Sequence, residues 1–231
     1  MVQGPNVKQV LFIHRSVGQN LLRDGHVYEL IEQAGQPFAL SDYNHNNDTL
    51  TDSAGKQTKL GFHFPGDNTH PEDFAALFSE NVAPEHQPIL DMAMGYDVIV
   101  LKSCYPNSNI KSDEQLKVVQ QAYQSIAEFF GRRPDKQLII LTSPPLIPFL
   151  TKPAAASRAR QLTNWLAGEN LGPNVHVFNF FDLLAAPEGE KQANMLRRSY
   201  RRWLPFDSHP NAKASKLIAP QFISYIQGIA S

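Results

Sequence analysis

The sequence predicts an α/β fold, a three-layer α/β/α sandwich around a mostly parallel five-stranded sheet. Short β-rich apolar runs recur between longer segments whose apolar residues fall three and four apart, the alternation expected of parallel βαβ units. With 42% hydrophobic and 19% charged residues over 231 positions, the chain also carries enough apolar surface to cover both faces of a sheet.

The elements follow in order. Strand one is expected at residues 8–13 (Lys-Gln-Val-Leu-Phe-Ile), leading at once into a helix over 17–34. A weaker strand at 37–41 opens onto a long polar loop, 42–70, in which Asp, Asn, Thr, Gly and His leave no lasting apolar period. Ordered loops of this length are usually functional walls or lids. Near its end, Pro71 suits the first position of a helix. Asp-Val-Ile-Val-Leu at 97–101 is the third strand. The helix at 113–130 carries the stripe Leu116, Val119, Tyr123, Ile126 and Phe130, with Ser112, Asp113 and Glu114 at its start and Gly131 and Pro134 at its end. Strands at 137–142 and 174–179 flank a helix at 154–167, and a last helix runs over 212–229. No linker composition divides the chain, so one domain over 1–231 is expected.

Twenty-one basic against 22 acidic residues leave a net charge of −1, so no overall field draws the chain to nucleic acid or anionic membrane. Arg197, Arg198, Arg201 and Arg202 cluster locally, which reads as a solvated helical face. Cys104 is the one cysteine, excluding an intrachain disulfide or a multi-cysteine zinc site. With no basic segment leading a long apolar stretch, a soluble, cytoplasmic protein is expected.

Two places carry the ingredients of acyl transfer, which needs a nucleophile, a base, a group orienting that base and donors for the oxyanion. Ser16 follows the first strand directly, and Gly18 lets backbone amides approach a reacting carbonyl. A serine before a helix is also an ordinary N-cap. His209, with Asp207 nearby, opens the closing helix and is the candidate base. The polar loop holds Asp42, His45, Asp48, His63, Asp67 and His70, types that bind divalent metals, but no pair sets two imidazoles on one helix face, and no metal is expected.

Leu11-Phe12-Ile13-His14-Arg15-Ser16-Val17-Gly18 and Asp207-Ser208-His209-Pro210-Asn211 resemble the first and last blocks of the SGNH hydrolases, the esterase superfamily often called GDSL. Lys102-Ser103-Cys104-Tyr105-Pro106 and Thr142-Ser143-Pro144-Pro145 fall where that family's intervening blocks belong. The resemblance implies a flavodoxin-like sandwich in which Ser16 attacks an ester carbonyl, His209 moves the proton and Asp207 holds the imidazole, with no cofactor. Three departures stand out. His14-Arg15 replaces Gly-Asp before the serine, putting positive charge beside it. Only Ser208 separates Asp207 from His209, so the acid pairs with the histidine, caps the last helix, or leaves a Ser-His dyad. Cys104 occupies the position of the family's oxyanion asparagine, which passes that role to the amides of Ser16 and Gly66 and the side chains of Ser103 or Asn109, while Asn107 reads as a turn residue. His14, Arg15, Asn20 and Asp67 are candidates for substrate contact. The expected substrate is an acyl or O-acetyl ester of a small molecule or carbohydrate. The alternatives are a related domain that binds a ligand without turnover, and a metal-dependent hydrolase.

Overall fold

Val10, Leu11, Phe12 and Ile13 are all fully buried, as a strand must be when helices cover both of its faces. In the computed structural model, which describes residues 7–35, 37–61, 63–66 and 68–230, this strand, β1 (Lys8–His14), leads into helices α1 (Ser16–Asp24) and α2 (Val27–Ala34). Strands β2 (Phe38–Asn44), β3 (Thr49–Thr51) and β4 (Gln57–Lys59) come next, then α3 (Pro71–Leu77), α4 (Gln87–Met94), β5 (Val98–Lys102) and α5 (Asp113–Gly131). The chain closes with β6 (Gln137–Leu141), α6 (Pro153–Gly168), β7 (Val175–Phe178), α7 (Phe180–Leu184) and α8 (Ala212–Ala230).

The sheet has seven strands in the order β4-β3-β2-β1-β5-β6-β7. Its five parallel strands, β2-β1-β5-β6-β7, form the flavodoxin-like order, and the expected five-strand sheet is extended by an antiparallel hairpin, β3-β4. The layers follow from alternation along each strand. Leu11 and Ile13 join Phe74, Ile89, Phe130 and Leu162 in a core under α3, α4, α5 and α6. Val10 and Phe12 join Val17, Leu21, Phe180 and Phe222 in a second core under α1, α2, α7 and α8. Strand order reverses at β1, so the crevice between the carboxyl ends of β1 and β5 is where this fold binds ligands.

Three expectations need correction. The helix expected over 17–34 is broken, because His26 takes a left-handed φ of 54°. The break rests on Gly25, where a Cβ would come within 2.4 Å of the Leu21 carbonyl and 2.7 Å of Ala219 on α8. The polar loop contains the β3-β4 hairpin, whose three-residue strands are too short to show a period. The arginine cluster is no solvated helical face, since it lies around a short 3₁₀ turn, Arg198–Tyr200. There Arg197 donates to the Ala185 carbonyl, and Arg201 donates to Leu196 O and Gln192 Oε1.

Candidate active site

Ser16 opens α1 one residue beyond β1, with Arg15 as N-cap in extended conformation. The first intrahelical bond runs from Gln19 N to Arg15 O at 3.0 Å. The Ser16 amide therefore precedes the helical ladder and is free of an intrahelical partner, in the positive end of the helix field. The serine hydroxyl is half-buried, and its contact is Cys104 Sγ at 3.9 Å. Cys104 and Tyr105 stand just past the end of β5, so the two strand ends at the reversal point supply adjacent groups.

The histidine arrives from the other end of the chain. Asp207 Oδ1 accepts both the backbone N–H of His209, at 2.8 Å, and its Nδ1, at 2.5 Å. An aspartate bonding the backbone two residues on is an Asx turn, and it makes the short Asp-Ser-His spacing workable. Burial disfavours the Asp207 charge, yet bonds from the His209 amide and ring, with Arg202 nearby, outweigh it and hold the carboxyl below its usual range. Fully buried Ser208 anchors the turn by accepting from Ile147 N at 3.1 Å. The cap of α8 is Asn211, whose Oδ1 accepts from Ala214 N at 3.1 Å, so Asp207 is left to the histidine. The His209 ring meets Tyr105 edge-on, 5.1 Å between centroids. The Cys104-Tyr105 dipeptide thus touches Ser16 on one side and His209 on the other.

Several sequence candidates sit elsewhere than expected. His14 cannot meet substrate: its ring has no exposed surface, and Nε2 lies 2.7 Å from Asp42. Asn20 is buried on α1, its oxygen accepting from Arg23 at 3.1 Å. The Ser103 hydroxyl is committed to Tyr123, 3.0 Å away in the core, where burial pushes the phenol up to about 12. Asn109 accepts from Thr151 at 3.3 Å and keeps its NH2 as a donor. Gly66 is exposed at φ +71°, packed so that a Cβ would overlap the Asp73 carboxylate. Asp67 lies outside the described residues. Arg15 is a bracket, donating to Asn46 at 2.6 Å and to Asn68. Asn107, which read as a turn residue, pins the same loop through the carbonyls of Asn68 and Thr69 at 3.2 and 3.0 Å. Of the metal-type side chains, Asp42 serves His14 and Tyr28, and Asp48 serves Tyr43 and His63. Among the described residues no three such groups converge.

The structure also exposes an aromatic rim. Trp203 and Phe206, in the loop ending at Asp207, are 91% and 72% exposed, and Phe206 meets 74%-exposed Phe149 at 6.2 Å. Beside it, a cavity of about 460 Å³ is lined by Asn109, Phe149, Leu150, Thr151 and Ala155. A separate depression of about 760 Å³ against His176, Pro220 and Tyr225 borders none of the catalytic candidates. No described helix is long and apolar enough to cross a membrane.

No family model and no curated protein matches the sequence. Solved structures do match over nearly the whole chain. An acylhydrolase described as putative, from Bacteroides fragilis, aligns at 13% identity and TM-score 0.56, covering 96% of this chain and 91% of its own. A GDSL-like lipase from Bacteroides thetaiotaomicron aligns at 12% identity and TM-score 0.52, covering 95% and 89%. The periplasmic domain of a Salmonella lipopolysaccharide acetyltransferase aligns at 12% identity and TM-score 0.52, covering 96% and 85%. At these identities the likeness is one of fold, and the fold is that of the SGNH/GDSL hydrolases.

Proposed function

We propose that this chain, a divergent member of the SGNH/GDSL group, hydrolyses an acyl or O-acetyl ester of a small molecule or carbohydrate through an acyl-Ser16 intermediate. The observation that carries the reading is the Asp207–His209 pair, 2.5 Å apart, on a loop whose histidine meets Tyr105 while neighbouring Cys104 meets Ser16. With Nδ1 donating to Asp207, Nε2 is the nitrogen left to accept the serine proton. Ser16 Oγ bonds to the carbonyl carbon as its proton passes to His209. The Ser16 amide, with Asn109 or the Gly66 amide, meets the oxyanion. The ester C–O bond then breaks, His209 protonates the departing alcohol, and water repeats the sequence to release the acid. The fold neighbours named acylhydrolase, lipase and acetyltransferase all move acyl groups, in keeping with this chemistry.

The test is covalent capture. A fluorophosphonate forms an Oγ–P bond to an activated serine and expels fluoride, so mass spectrometry should find the adduct on Ser16 and none in Ser16→Ala. A folded but unlabelled protein favours the second reading, a domain that binds an ester without turning it over. What motivates that reading is the side-chain contact of Ser16, which is with Cys104 and not with His209.

The aromatic rim bears on acyl preference. Each buried methylene is worth about 0.8 kcal/mol, so a butyryl ester reaching Phe206 gains over an acetyl ester. Phe206→Ser should raise KM for p-nitrophenyl butyrate roughly fivefold while leaving p-nitrophenyl acetate unchanged. Equal effects on both esters would remove the rim from the acyl path.

A further inference from the structure

His14 is the last residue of β1, and its ring is enclosed between the sheet and the first turn of α1. Nε2 lies 2.7 Å from Asp42 Oδ1 on β2, and Asp42 Oδ2 accepts the Tyr28 hydroxyl of α2 at 2.6 Å. Nδ1 lies 3.0 Å from the carbonyl oxygen of Arg15. That carbonyl belongs to the peptide joining Arg15 to Ser16. A trans peptide is planar, so the direction of its C=O fixes the direction of the Ser16 N–H. The fit is close: a Cβ at position 18 would stand 2.3 Å from His14 Cβ and 2.6 Å from Cγ. Gly18, expected to open the way for a substrate carbonyl, in fact makes room for this imidazole.

We propose that His14 is a positioning residue for Ser16: braced by Asp42 and Tyr28, it orients the Arg15–Ser16 peptide and with it the amide that meets the oxyanion. The inference rests on the reading of Ser16 as nucleophile. It explains why a histidine stands where the resembling family has glycine, and why three elements, α2, β2 and β1, converge behind a turn that only α1 extends.

Two isosteres separate positioning from bulk stability. The amide nitrogen of asparagine falls near the place of Nδ1, and that of glutamine near Nε2. His14→Asn therefore keeps a donor for Arg15 O and leaves Asp42 short of a partner, while His14→Gln keeps Asp42 satisfied and leaves the Arg15 carbonyl held by the Gln19 N–H alone. Positioning predicts that His14→Gln melts close to the wild type yet loses about a hundredfold in kcat and in fluorophosphonate labelling rate, with KM little changed, the scale of losing one oxyanion donor. His14→Asn should melt lower and keep within about tenfold of wild-type kcat on that scale. Tyr28→Phe, which deletes one hydroxyl, is the variant least prone to misfolding and should lose severalfold in kcat at constant KM. Wild-type labelling rate in His14→Gln, or kcat losses that follow melting temperature across the set, would overturn the proposal alone. An unlabelled wild type would overturn it together with the reading beneath it.

Discussion

His209→Ala should lower kcat for p-nitrophenyl acetate by on the order of 10³- to 10⁴-fold, at the upper end of what one general acid–base group supplies. KM should change little, because in the proposed mechanism the imidazole acts on the proton of Ser16 and on the leaving oxygen and does not hold the substrate. Asp207→Asn tests the orienter. The wild-type carboxylate accepts from both the amide and Nδ1 of His209, whereas an asparagine has one oxygen to offer and can turn a donor toward the ring. A wrong tautomer would then leave the proton on Nε2, and a loss of about 10²- to 10³-fold is expected, short of removing the base itself. The Asp207 carboxyl is held below its usual range, so it stays charged through neutral and mildly acidic pH. Loss of activity across that range should therefore not come from protonation of this carboxyl. If Asp207→Asn retains wild-type kcat, the imidazole is oriented by something other than this carboxylate.

The Asp207–His209 pairing also shows where a sequence stops speaking. Both residues stood out by type and by place near the closing helix, but whether they bond depends on a turn closed by one side chain and on Ser208 reaching Ile147, 61 positions away. The turn that carries Ser16 was legible because a strand, a hydroxyl and a helix in succession describe a turn by themselves. His14 beside it stayed open between substrate contact and packing, since its burial is decided by Asp42 and Tyr28, 28 and 14 residues distant from their partners. The parallel strands announced themselves through runs of Val, Ile, Leu and Phe. Helices α4 and α7 did not, because eight and five residues are too few for a helical period to rise above background. Glycines carried more than the reading drew from them: Gly25 and Gly18 each mark a close approach by α8 or by His14, and neither approach is visible without the third dimension.

Lys102→Met should abolish one pH dependence of the protein's stability. Lys102 ends the central strand β5 with no exposed surface. Its Nζ donates to Ser103 O at 3.1 Å, and among the described residues no carboxylate lies within ion-pair range. Burial pushes the amine below its ordinary pKa, opposed only in part by Cys104. The sign follows from proton counting. Between the lowered folded value and the ordinary 10.5, the unfolded chain binds a proton that the folded chain does not, so wild-type stability rises with pH across that window. The slope approaches about 1.4 kcal/mol per pH unit for one proton. Methionine nearly conserves the volume and has no proton to bind. The lost hydrogen bond costs about 1 kcal/mol, set against the burial of an amine that methionine removes. Urea unfolding from pH 6 to 10 should accordingly give a wild-type stability that climbs with pH relative to a Lys102→Met curve lacking that slope. Parallel curves would mean that Lys102 keeps its proton when folded.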